Sequence, residues 1–134
     1  MLRITAGAFV FRARWEDAPR TRDALCKLLP YDGSLLQARW SGEAAWVPMG
    51  ERTIVIDPER ATSHPAPGDL LLYTGTLSET EILVPYGATM FASKMGQLAG
   101  NHFATIVDGR EQLAELGRRV LHDGAQRFRI EEGD

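Results

Sequence analysis

Between residues 35 and 107 the chain is a succession of short apolar or alternating runs, each cut off by Gly, Pro, Ser, Asp or Glu. Strands of this length separated by turn residues favour a barrel or sandwich over a βαβ sheet, whose strands would be spaced by helices. The runs predict strands near Leu35 to Trp40, Ala44 to Pro48, Thr53 to Ile56, Asp69 to Tyr73, Glu81 to Val84 and His102 to Val107.

The flanks supply the remaining elements. In residues 2 to 15, Phe9, Phe11, Ala13 and Trp15 alternate with Val10, Arg12 and Arg14, the two-residue period of a strand, and Gly7 can break this run into a hairpin. "EDAPRTRDALCKLLP" predicts a helix with Asp17 as cap, Pro19 in the first turn, Leu25, Leu28 and Leu29 at helical spacing, and Pro30 as the stop. "DGREQLAELGRRVLHDG" predicts a second helix, with Asp108 as cap, Glu111 three residues on, and Leu113, Leu116, Val120 and Leu121 on one face. After Gly124, the alternation of Gln126, Phe128 and Ile130 predicts a closing strand that can pair with the first. The expected fold is mainly β: a closed or nearly closed antiparallel barrel of about eight strands with two α-helices.

A chain of 134 residues holds one core, so residues 1–134 are read as a single domain. Its 15 basic and 18 acidic side chains are interspersed, with net charge −3, so no basic stripe is present for nucleic acid. One cysteine, Cys26, excludes an internal disulfide and a cysteine-rich zinc site. "MLRITAGAFVF" lacks the pattern of a signal peptide, and no run of about 18 apolar residues occurs, so a cytoplasmic protein without a membrane partner is expected.

Several side chains could carry chemistry. Arg39, in a predicted strand beside Trp40, offers a planar fork of donors suited to a carbonyl or carboxylate; the plainer alternative is an ion pair with Glu43 on the barrel rim. His102 follows Gly100 and Asn101, which let the chain bend before entering a strand, and would face the barrel mouth either toward a polar ligand or satisfied by nearby backbone. "SETE" places Glu79 and Glu81 on one face of a strand, where paired carboxylates can share a proton or simply be solvated. "YGATMFASKMGQ" carries Tyr86, Ser93 and Lys94; adjacency points Ser93 and Lys94 to opposite faces, which argues against a serine hydrolase and leaves Lys94 as an anchor for an anion. His64, His102 and His122 are scattered without metal-ligand spacing, so neither metal nor cofactor is expected. Trp15, Trp40 and Trp46 read as packing, Trp40 being the exception because it neighbours Arg39.

In the order of the chain, "APRT", "PAPGDLLLYTG", "LAGNH" and "VDGREQLAEL" resemble blocks of the cyclophilins, the peptidyl-prolyl isomerase fold. "ARWSGEAAW", "SETEILVPYG" and "FASKMGQLAGNHFATI" resemble more closely a family of small bacterial cyclophilin-like proteins with no assigned reaction. The resemblance implies a cyclophilin-like barrel, places Arg39 and His102 at the isomerases' arginine and histidine, and makes Leu98 the apolar residue of the same loop. One groove would then hold them all. The residues after Arg39 depart from the isomerase pattern, because Trp40, Gly42, Glu43 and Trp46 stand where the proline pocket is shaped.

Three functions are expected from these observations. The first is a side groove for a small polar or amide-containing ligand, with Arg39 and His102 as catalytic candidates and Trp40, Glu43, Glu79, Glu81, Tyr86, Lys94, Leu98 and Asn101 around the ligand. Amide hydrolysis or isomerisation is its reaction class. The second is a peptidyl-prolyl isomerase acting on a peptide, with Arg39 weakening the conjugation of the prolyl bond. The third is a non-catalytic subunit or homo-oligomerisation module built on exposed strand edges.

Overall fold

The computed structural model describes residues 1–51 and 54–133. Strands β1 (Leu2–Ala6) and β2 (Phe9–Trp15) form a hairpin that turns at Gly7, whose φ of 57° suits a residue without a β-carbon. Helix α1 (Pro19–Cys26) leads to β3 (Tyr31–Gln37), β4 (Gly42–Pro48), the short β5 (Ala61–Thr62), β6 (Asp69–Tyr73) and β7 (Glu81–Thr89). A small separate hairpin, β8 (Ala92–Ser93) with β9 (Gly96–Gln97), precedes β10 (Gly100–Asp108). A 3-10 turn (Arg110–Gln112), helix α2 (Leu113–Asp123) and β11 (Gln126–Glu132) complete the chain.

The strands run in the order β2-β1-β11-β3-β4-β7-β6-β10, and β10 pairs back onto β2, so eight antiparallel strands close into a barrel. The last strand joins the first, with Ile130 opposite Ile4 and Phe128 opposite Ala6. Strand β5 continues the β10 edge beyond the end of β2. The expected barrel of about eight strands with two helices is the observed one.

Alternation along the strands divides the apolar residues between two clusters. Ile4, Phe11, Leu35, Val47, Leu70, Leu72, Ile82, Val84, Phe103 and Ile130 fill the interior, together with Leu113, Leu116 and Val120 of α2. On the opposite face of β4, β7 and β6, Ala44, Leu71 and Leu83 are also buried, beneath Phe91 and Leu98. Three neighbouring strands are therefore covered on both sides, which explains the unbroken apolar runs "DLLLY" and "EILV". Burying Leu71, Leu83 and Phe91 contributes roughly 1.5–3 kcal/mol each and holds residues 90–98 against the outer wall.

Several local expectations are corrected. Strand β3 ends at Gln37, so Arg39 and Trp40 lie in the β3–β4 turn and not in a strand; Gly42, with φ of 92°, marks the turn's end. Asp17 does not cap α1: the N-cap position is Ala18, and Glu59 accepts the Thr21 N–H at 2.9 Å and the Arg20 N–H at 3.3 Å instead. Asp108 does not cap α2, because Gly109 (φ 92°) and the 3-10 turn intervene. Leu121 is 57% exposed, past the edge of the stripe formed by Leu113, Leu116 and Val120. Of the strand expected from Thr53 to Ile56, Thr53 lies outside the described residues and 54–56 join no ladder.

Candidate functional site

The outer wall of the barrel carries a cavity of about 380 Å³ between the β3–β4 turn and the β8–β9 hairpin. Leu36 of β3, Trp46 of β4 and Leu77 supply apolar wall, and Glu81 and Ser78 supply polar groups. Arg39, Trp40, Lys94 and Met95, all exposed, surround the mouth. A volume of this order accommodates a small molecule.

Both walls are held by defined bonds. Ser41, nearly fully buried, ties the turn to the neighbouring segment: its hydroxyl donates to the Ala92 carbonyl and accepts the Ala92 N–H, each at 3.1 Å, and its carbonyl accepts the Met90 N–H at 3.0 Å. Gln37 braces the turn from the barrel side, donating Nε2 to the Gly42 carbonyl at 3.0 Å while Oε1 accepts the Tyr86 hydroxyl at 2.6 Å. A β-carbon at Gly42 would come within 2.8 Å of the Ala88 carbonyl oxygen, so the tight approach of β4 to β7 requires glycine there. In the facing hairpin, the Ser93 hydroxyl accepts the Met95 N–H at 3.0 Å, which presents Lys94 at the tip. Ser93 and Lys94 both line the cavity, Ser93 at the end of β8 and Lys94 in the turn that follows it.

Glu81 opens β7 opposite Pro48 of β4 and Tyr73 of β6, two residues before the outward-facing Leu83. It is 5% exposed. Burial pushes its carboxyl up to about 8, repulsion from Glu79 acts in the same direction, and a hydrogen bond from Ser78 only partly opposes them. At neutral pH the cavity therefore holds a protonated acid in its wall and two cations, Arg39 and Lys94, at its mouth. The Arg39 guanidinium lies 5.5 Å from the centre of the Trp40 ring, a cation–π distance.

The other residues singled out from the sequence lie elsewhere. His102 is not among the cavity's lining residues, so it and Arg39 do not share the expected groove. A register shift in β10 between His102 and Ala104 leaves the imidazole on the outer face of the β6–β10–β2 wall. There its Nε2 is 2.8 Å from Thr105 Oγ1, and Thr105 donates its hydroxyl proton to Glu16 at 2.6 Å. A hydroxyl has one proton, so His102 must donate to Thr105 from Nε2, and Asp69 Oδ1 lies 3.7 Å from the same nitrogen. The Thr105 hydrogen bond is the largest influence holding Glu16 below the usual carboxylate range.

Asn101, 7% exposed, accepts the Glu59 N–H and donates to Thr21 Oγ1 and the Asp57 carbonyl, so its amide is committed to anchoring residues 57–59 beside α1. Leu98 is packed in the outer cluster with Phe91. Glu43 accepts the Ala88 N–H at 2.8 Å. Glu79 accepts the Gly50 N–H at 3.2 Å and acts on Glu81 through its charge. Tyr86 does not line the cavity, and its hydroxyl donates to Gln37, which does. Sequence reasoning missed Gln37, Ser41 and the cavity role of Trp46; the Ser-Gly pair at 41–42 was the available sign of a turn. Among the described residues no group of three or more His, Cys, Asp or Glu side chains is arranged to hold a metal ion, and no helix is long and apolar enough to cross a membrane.

Fold and cavity together define a closed antiparallel barrel with a small-molecule-sized cavity on its outer wall. The chain belongs to the DUF3830 family, proteins of unknown function, whose family model matches residues 2–132. It is also similar to the solved structure of McbB in complex with tryptophan, with a TM-score of 0.77 and 18% identity over all of this chain. The chain spans 45% of McbB, and at that identity the likeness shows a shared fold. No curated protein matches the chain.

Proposed function

We propose that this protein binds a small molecule having a flat apolar body and a carboxylate or amide group, in the cavity between the β3–β4 turn and the β8–β9 hairpin. The observation that carries this reading is the convergence of Trp40, Trp46, Arg39 and Lys94, from three separate stretches of chain, on one cavity. Aromatic walls favour a planar ring through burial and stacking, and the guanidinium and ammonium favour an anionic end. That McbB, which shares the barrel, is described in complex with tryptophan supports a ligand of this shape. The cyclophilin-like reading of the barrel belongs to the same proposal and is supported by the order of the strands around two helices.

Thermal unfolding in the presence of indole-3-propionate and of L-tryptophan tests it. A ligand that binds only the folded chain raises the unfolding midpoint in proportion to the logarithm of its concentration over Kd. The expected result is a saturable rise, with affinity weakened about tenfold or more when Arg39 and Lys94 are both changed to Ala. No shift with either compound, or a shift untouched by the double substitution, rejects the reading.

A further inference from the structure

We infer that the ligand carries an ammonium group in addition to its carboxylate, and that Glu81 receives this ammonium by giving up its own proton to solvent. The inference rests on the cavity reading above and specifies the chemistry of its inner pole. Its basis is placement: the two cations at the mouth are exposed, whereas the carboxyl facing the same space is buried in the wall. A site with cations outside and an acid inside is dipolar, and a zwitterion oriented along it satisfies both ends. An amide would satisfy the acid without ionising it.

The proton balance is simple. Before binding, Glu81 is a neutral acid; in the complex it is a carboxylate paired with the ligand's ammonium; the proton from its Oε leaves to water. Pairing supplies the opposite charge that burial denies to the free carboxylate. The groups facing Glu81 are consistent with this exchange. Glu79 on its own loop repels the carboxylate, Ser78 hydrogen-bonds to it, Tyr73 lies across the β6 ladder, and β4 contributes the uncharged Pro48 and Trp46. Arg39 from the turn and Lys94 from the hairpin line the same cavity. An incoming ammonium is the group that reverses the balance set by Glu79 and burial.

Two calorimetric measurements on the whole chain test this. L-tryptophan carries both charges; indole-3-propionate lacks only the ammonium. Titrated in phosphate and in Tris at about pH 6.5, L-tryptophan is expected to release about one proton per molecule bound, and its affinity to rise roughly twentyfold by about pH 8.5, as Glu81 ionises in the free protein. Indole-3-propionate is expected to show neither effect, and Glu81→Gln to remove both from L-tryptophan. Binding of the two compounds with equal affinity, equal pH response and no proton release overturns the inference while leaving the cavity reading intact. Binding of neither compound rejects the cavity reading and the inference with it.

Discussion

The ring of Tyr86 occupies the space that a β-carbon on Gly117 would need, and its hydroxyl reaches 2.6 Å to Gln37 Oε1. Helix α2 is thereby connected to the turn that carries Arg39 and Trp40, since Gln37 also holds the Gly42 carbonyl. Burial and the charge of Glu43 raise the phenol further above its ordinary range, so Tyr86 remains a donor at neutral pH.

Gly117→Ala sets two effects against each other. Alanine gains about 1 kcal/mol in an exposed helix interior, but here the added methyl meets the Tyr86 ring, and overpacking costs about 1–3 kcal/mol or more. Net destabilisation is expected, visible as a lower urea midpoint. Tyr86→Phe keeps the ring and removes the bond to Gln37, at about 1 kcal/mol of stability. It is also expected to weaken L-tryptophan binding, although Tyr86 does not line the cavity.

Glu81→Gln is expected to stabilise the fold in a pH-dependent way. Unfolded, this carboxyl titrates near its ordinary 4.5; folded, near about 8. Between those values the unfolded chain binds fewer protons than the native one, so stability falls as pH rises from about 4.5 to about 8 and is level on either side. Glutamine mimics the neutral acid and removes the penalty. Chemical denaturation is expected to show a gain on the order of 4 kcal/mol at about pH 8 and little change at about pH 4.

Glu59 has the opposite sign. Burial acts to raise its carboxyl, but hydrogen bonds from the Thr21 N–H and hydroxyl and from the Arg20 backbone and side chain outweigh it and hold the group at about 2. The stabilisation it gives to the start of α1 is complete above the ordinary 4.5 and is lost as pH falls toward about 2. Glu59→Ala is expected to lower the thermal midpoint by several degrees at neutral pH, with the difference from the unaltered protein closing as the solution is acidified. A constant difference at all pH values contradicts this assignment.

His102→Ala separates the two walls of the barrel. Loss of the Thr105 contact is expected to cost about 1 kcal/mol. L-tryptophan affinity is expected to change less than about twofold, because a substitution without shared partners at the cavity is energetically independent of it.

What the sequence revealed follows from how local the cause is. The alternation in β2, the turn residues around β6 and the stripe of α2 are local, and these elements were legible. The outer apolar cluster was not: "DLLLY" does not say that Leu71 faces away from Leu70 and Leu72 into a second layer, since that layer exists only once residues 90–98 fold over it. Glu81 stood out as a carboxylate beside Glu79, but its protonation depends chiefly on burial, which arises only once the strands and loops around it come together. The cap on α1 comes from Glu59, thirty-eight residues beyond Thr21, and no spacing rule reaches that far. Arg39 and His102 were both conspicuous, yet only Arg39 reached the cavity, because the bulge in β10 decides which side of the wall His102 occupies.

The chain's three tryptophans allow the cavity to be tested directly. Trp40 and Trp46 line it, whereas Trp15 packs near Phe103, with Arg22 over its ring. Following the three indole N–H resonances by NMR during titration with L-tryptophan at about pH 8.5, where Glu81 is largely ionised, reads the site without altering the protein. The account predicts saturable shifts of Trp40 and Trp46 with Trp15 unmoved. Shifts confined to Trp15, or to resonances of the His102 and Thr105 wall, would contradict it.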